Sequence, residues 1–161
     1  MRRLRVAAVM ERGFTFVEML VVVALVAILA SAVMPLARVA AQRQREIELR
    51  RNLRDIRTAI DRYKDAADQG QIAATKVKLG SEGYPPDLEI LVVGVDAAGA
   101  SDRKLKFLRR IPIDPMTREA VWGMRSYDDK PDAKSWGGQN VYDVYSKSEG
   151  TALDGTKYQD W

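Results

Sequence analysis

The chain has no cysteine and no histidine in 161 residues. Without cysteine there is no disulfide, no thiolate nucleophile and no thiolate zinc site. Without histidine there is no Ser-His-Asp triad, no imidazole metal ligand and no side chain that ordinarily titrates near neutrality. Carboxylates alone are left for acid–base work, and no paired-carboxylate motif stands out, so the sequence reads as a non-enzyme. The Gly-x-x-x-x-Gly-Lys-[Ser/Thr] phosphate loop is missing as well. A basic excess is nearly absent once the first 13 residues are set aside. They hold four Arg and Glu11, and removing them from 26 Lys+Arg and 22 Asp+Glu leaves 22 against 21, a net of +1. That balance argues against nucleic acid as the main partner.

Charge is also missing from residues 14–37, FTFVEMLVVVALVAILASAVMPLA, where Glu18 is the single exception. A helix from Phe14 to Met34 would be about 30 Å long at ~1.5 Å per residue, the thickness of a bilayer core. It is apolar on all sides, unlike a surface helix. A secretory signal peptide is the competing reading: Arg2 to Arg12 as the basic head, Phe14 to Leu29 as the apolar core, and Ala30-Ser31-Ala32 as an A-x-A cleavage site. Three features oppose it. Glu18 lies inside the would-be core, the apolar run is long, and helix-forming sequence resumes after Pro35. Burying Glu18 in lipid is costly, so a partner outside the lipid must need it. Pro35 predicts a kink or local melting near Ala32 to Met34, because it lacks an N–H and clashes with the preceding turn.

Beyond Pro35 the helix pattern continues to about Asp68. Leu49, Leu53, Ile56, Ile60, Tyr63 and Ala67 form one apolar stripe. Glu46–Arg50 and Arg57–Asp61 are expected as i,i+4 ion pairs on the solvated side, and Gly70 as the stop. Arg43, Arg45, Arg50, Arg51, Arg54 and Arg57 form a basic cluster. A solvated face or pairing between subunits accounts for it better than lipid headgroups or DNA. Residues 70–83 read as a loop, Leu88 to Val93 as a short helix or strand, and Gly94 to Ser101 as a turn region. Two prolines keep Ile111 to Pro115 from being helical. Val121 to Tyr127 and Asn140 to Ser146 read as strands of an antiparallel hairpin packed on the helix stripe, with 128–138 as the loop between them. Trp122, Trp136, Tyr142 and Tyr145 are expected to pack in the core or hairpin. The fold class is α+β: a long N-terminal helix on a small antiparallel C-terminal sheet.

Gly13-Phe14-Thr15-Phe16-Val17-Glu18 resembles the class III leader motif of type IV pilins and pseudopilins. The resemblance implies a leader at 1–13, a membrane and filament-core helix at 14–37, and a periplasmic domain at 38–161. A prepilin peptidase would cut between Gly13 and Phe14, and Phe14 would be N-methylated. Glu18 would pair with the mature N-terminal amine of a neighbouring subunit, and Pro35 matches the family's helix-melting proline. The implied partners are further copies in a helical homopolymer, minor pseudopilins, the peptidase and the inner-membrane assembly platform.

Other segments resemble the major pseudopilin of type II secretion systems: Tyr84-Pro85, Leu108 through Pro115 (LRRIPIDP), and Asn140 to Ser146 (NVYDVYS) with the tail to Trp161. That family binds calcium in its terminal loop through Asp side chains and backbone carbonyls. Here Asp154 and Asp160 are the expected side-chain ligands, with Ser146 or Ser148 assisting. The family's Gly-rich spacing is not reproduced, and Asp154-Gly155 is a good turn without any metal. Three rivals remain: a type IV or competence pilin, a soluble exported binding protein cut after Ala32, and a membrane-anchored DNA-binding protein using the Arg cluster.

Overall fold

The computed structural model describes residues 13–73 and 80–161. The basic residues expected in the leader (Arg2, Arg3, Arg5 and Arg12) and positions 74–79 of the expected loop lie outside them. The chain divides into two compact units, Met1–Ala40 and Ala41–Trp161, and one helix, α1 (Phe16–Asp68), contributes to both.

The ends of α1 are set by local chemistry. Thr15 caps its start: the Glu18 amide donates to Thr15 Oγ1 at 3.2 Å, which satisfies one of the unpaired amides of a first turn. At the other end Gly70 takes φ +66. Its amide bonds the Ala67 carbonyl at 3.0 Å, and the Gln71 amide bonds that of Ala66 at 2.9 Å. This is a Schellman stop, and glycine adopts the required left-handed backbone without steric cost. Around Pro35 the backbone stays helical through 32–34, where the proline predicts a kink or local melting. The amide that Pro35 lacks does not end the helix.

In the first unit the described part of α1 has nothing around it: Val17 is 66 % exposed and Leu29 69 %. It is long and apolar enough to cross a membrane.

In the second unit the expected stripe is the core. Leu49, Leu53, Ile56, Ile60 and Tyr63 are buried, joined by Ala59 and Ala66. They pack with Ile72, Leu88, Leu91, Val95, Trp122, Val141, Val144, Ala152 and Tyr158. Each large aliphatic side chain so buried is worth about 1.5–3 kcal/mol of transfer free energy. Helix α2 (Glu89–Val93) is short, and the Asp87 carboxylate accepts the Ile90 amide at 2.8 Å at its start.

The strands form two separate pairs. Strands β1 (Val95–Ala97) and β2 (Ala100–Leu105) are antiparallel, with an irregularity between Asp96 and Ala97. This hairpin corrects the expectation of a turn region over Gly94 to Ser101. Its small residues hide the alternation that marks a strand, and Gly99 at φ +74 makes the tight reversal. Strands β3 (Gly123–Arg125) and β4 (Asp143–Tyr145) pair as expected, antiparallel, with Gly123 opposite Tyr145. The Tyr145 ring lies over Gly123 where a β-carbon would stand. Of the four aromatics expected to pack, Trp122 and Tyr145 are buried, and the partly exposed Tyr142 packs edge-on against Tyr84 and Tyr127 at 5.2 and 5.4 Å. Trp136 donates to the Asn140 carbonyl at 2.7 Å.

The Ile111 to Pro115 segment is non-helical and holds the most deeply buried carboxylate described. Asp114 accepts the Met116 amide at 2.7 Å and the Ser146 hydroxyl at 2.6 Å. It thereby ties the segment before β3 to the residue just after β4.

Candidate functional site

The first candidate site is the start of α1. Residues 13–15 are coil, and Gly13 and Phe14 are both exposed. A β-carbon at Gly13 would meet nothing within 4 Å. The Gly13–Phe14 bond therefore lies in accessible, non-helical backbone, the form that a peptidase cleft requires. Because Thr15 is the cap, cleavage there leaves the cap and the whole helix in the product. Glu18 is exposed three residues on. Its amide serves the cap, and among the described residues its carboxylate has no hydrogen-bond or ion-pair partner. Pro35 is exposed, inside the helix.

The second is the C-terminal segment that carries the expected ligands. Asp154 accepts the Thr156 hydroxyl and amide at 2.5 and 2.9 Å and pairs with Arg50 at 3.2 Å. These bonds, the Thr156 hydroxyl first, hold its carboxyl below the usual Asp range. The Ser146 hydroxyl is turned inward onto Asp114. Ser148 Oγ faces the Gly150 amide at 3.4 Å. Asp160 is exposed in a single turn of 3-10 helix, Tyr158–Asp160. Among the described residues no group of three or more His, Cys, Asp or Glu is placed to hold a metal ion.

What the loop does meet is α1. Glu46 is buried, and its Oε1 accepts the Tyr158 hydroxyl at 2.9 Å, the Leu153 amide at 2.9 Å and Gln42 Nε2 at 3.1 Å. Burial also raises the Tyr158 hydroxyl above its ordinary pKa, so it stays a donor. Arg50 stacks 3.8 Å from the Trp161 ring centre. Arg57 donates to Asp143 at 2.7 Å, to the Val144 carbonyl at 3.0 Å and to the Trp161 carbonyl at 3.1 Å. Arg125 reaches Asp143 at 3.4 Å and the Gln159 carbonyl at 3.3 Å.

The two expected i,i+4 pairs are thus replaced. Glu46 faces the interior, and Arg50 and Arg57 pair with Asp154 and Asp143. Partners more than 80 residues away give better geometry than neighbours one turn along. Two members of the basic cluster are therefore committed within the fold.

Residues 10–34 match a family model described as the prokaryotic N-terminal methylation motif. The chain carries that methylation motif. No curated protein matches the chain, and no solved structure does. The motif is that of prokaryotic type IV pilin-like proteins, and the α+β architecture, a long helix packed on small antiparallel sheets, is pilin-like. It spans the Gly13–Phe14 bond, the Thr15 cap and Glu18, the residues that the sequence singles out. Glu46, Gln42 and Asp143 lie outside the motif and were not legible as anchors. The one available signal was the 42, 46, 50 spacing, which puts Gln42, Glu46 and Arg50 on one face of α1.

Proposed function

We propose that the chain is a structural subunit of a type IV pilin-like filament, made as a precursor and processed by a prepilin peptidase. The methylation motif over residues 10–34 carries this reading. Its scissile bond lies in exposed coil just ahead of a capped apolar helix. Cleavage after Gly13 leaves Phe14 as the methylated terminus. The apolar part of α1 anchors the subunit in the inner membrane, with the Ala41–Trp161 unit on the periplasmic side. The same helix then leaves lipid for a bundle of helices from other copies. In that bundle a Glu18 carboxylate neutralises a neighbour's terminal amine. An unpaired charge there costs several kcal/mol, so the pairing selects register.

Within this class the reading is a type II secretion pseudopilus subunit whose polymerisation drives protein export. Minor pseudopilins and the membrane assembly platform are its partners. The absence of cysteine favours it over a type IV pilin, many of which carry a C-terminal disulfide. The likeness of the LRRIPIDP and NVYDVYS segments to major pseudopilins points the same way.

The deciding experiment is mass spectrometry of the protein from a host that has a prepilin peptidase. An N-methylated Phe14 is expected. A product beginning at Val33 would mean an ordinary signal peptide and would remove the filament from the account.

A further inference from the structure

The C-terminal loop of the resembled pseudopilins is closed by calcium, and the donor set here does not fit that ion. A calcium site needs six to eight oxygen ligands converging on one point. In this loop several of the oxygens are already engaged. The carbonyls of Gly150, Ala152, Thr156 and Lys157 accept the amides of Tyr158, Gly155, Ala152 and Asp160, at 3.2, 3.0, 2.8 and 3.0 Å. The Thr151 carbonyl accepts Gln42 Nε2 at 3.2 Å, and Thr151 and Lys157 form an antiparallel bridge. Asp154 has one oxygen on Thr156 and the other on Arg50. The charge is wrong as well. Three guanidinium groups, Arg50, Arg57 and Arg125, hold the two carboxylates they touch, Asp154 and Asp143. An added dication would be repelled by these arginines at close range.

We infer that the terminal loop of this chain is closed without metal, by a row of side chains on α1. In this arrangement Arg50 supplies at Asp154 the positive charge that a cation supplies in the resembled proteins. Gln42, Glu46, Arg50 and Arg57 lie along one side of the helix and each reaches the segment from Asp143 to Trp161. Gln42 holds Thr151 and Tyr158. Glu46 holds Leu153 and Tyr158. Arg50 holds Asp154 and the Trp161 ring, and Arg57 holds β4 together with the Trp161 carbonyl. A guanidinium is planar and always charged, and it donates in a fixed fork. It can therefore neutralise a carboxylate and stack on an indole together, which a calcium ion cannot do. The consequence is a loop whose order does not follow the calcium concentration around it. The inference stands whichever filament the subunit builds, because it concerns the Ala41–Trp161 unit alone.

The test uses the full chain purified in detergent, with calcium chloride or the chelator EGTA as the only variable. Two quantities are read: calcium retained after equilibrium dialysis, and amide hydrogen exchange of residues 150–158. The wild-type protein is expected to retain no calcium above a buffer blank and to exchange alike in both conditions. Arg50→Ala is expected to exchange about threefold to tenfold faster over 150–158, with or without calcium, as local opening becomes easier. Arg50→Lys, which keeps the charge but loses the stacked plane, falls between the two. One calcium retained per wild-type chain, or slower wild-type exchange on adding it, overturns the inference. So does Arg50→Ala exchange equal to wild type. The wild-type arm decides the matter even if the variant does not fold. Neither result bears on whether Phe14 is the processed terminus, so the proposed function stands or falls separately.

Discussion

Replacing Glu46 by Ala separates two accounts of the same residue. As a solvated i,i+4 partner of Arg50 it would be worth about 0.3–0.5 kcal/mol. As the structure places it, three donors converge on one oxygen: the Tyr158 hydroxyl, the Leu153 amide and Gln42 Nε2. They do not count equally. Leu153 is exposed and Gln42 half-buried, so both recover water when the carboxylate goes. Tyr158 is 4 % exposed and its hydroxyl does not. A stranded buried donor costs about 1–3 kcal/mol, and the two recovered bonds add roughly 1 kcal/mol together. The expected loss is therefore about 2–4 kcal/mol for Glu46→Ala. Glu46→Gln keeps the accepting oxygen and should lose less than half as much. Urea unfolding of the full chain in detergent, followed by tryptophan fluorescence, measures this, since Trp122 sits in the core. Glu48→Ala, at an exposed position of the same helix, is the control. A Glu46→Ala protein within about 0.5 kcal/mol of that control would refute the reasoning.

Gly123→Ala should destabilise by about 1–3 kcal/mol, because the new methyl meets the Tyr145 ring. Combined with Tyr145→Ala, the two losses should be less than additive in the same unfolding assay. Asp143→Asn leaves Arg57 and the nearly buried Arg125 without their shared carboxylate charge. A loss of about 1–3 kcal/mol is expected from the same urea curves. Asp154 and Asp129 are both held below the usual Asp range, Asp154 chiefly by the Thr156 hydroxyl and Asp129 by the amides of Ser126 and Gly137. Carboxyls shifted down stabilise the fold above the unfolded value of about 3.9 and lose that contribution as pH falls through the folded value. Melting temperature should thus be flat from about pH 8 to pH 5 and fall only in stronger acid, with a shallower fall in Asp154→Asn. Glu18→Ala should insert in the membrane normally but assemble poorly, as read by filament yield. Wild-type yield would remove the pairing role.

Legibility in the sequence followed the range of the interaction. The apolar stripe from Leu49 to Tyr63 and the Gly70 stop are set by neighbours within a turn or two, so their pattern is written locally. The hairpin of β1 and β2 escaped because Ala97, Ala98 and Ala100 have neither bulk nor β-branching to mark a strand. Glu46, Arg50 and Arg57 were misassigned for another reason. A charged residue on a helix has an obvious partner four positions away, and nothing local shows that a better one arrives some hundred residues later, as Tyr158 does for Glu46. At the N-terminal site the roles expected of Gly13, Phe14 and Glu18 rest on the resemblance of the motif. The structure added the Thr15 cap, which explains why the helix begins just beyond the Gly13–Phe14 bond.

The composition of the core also fixes an order of events during synthesis. Leu49 to Ala66 emerge early, but part of what covers them is drawn from Val141, Val144, Ala152 and Tyr158. At about 5–20 residues per second, the stripe waits on the order of ten seconds for those partners. Throughout that interval the apolar helix face is only partly covered, by Ile72, Leu88, Leu91, Val95 and Trp122 as they emerge. A chain cut short before Val141 would hold the whole stripe and lack all four of the later partners. Such a fragment is the species most prone to stick to its neighbours in the wrong way.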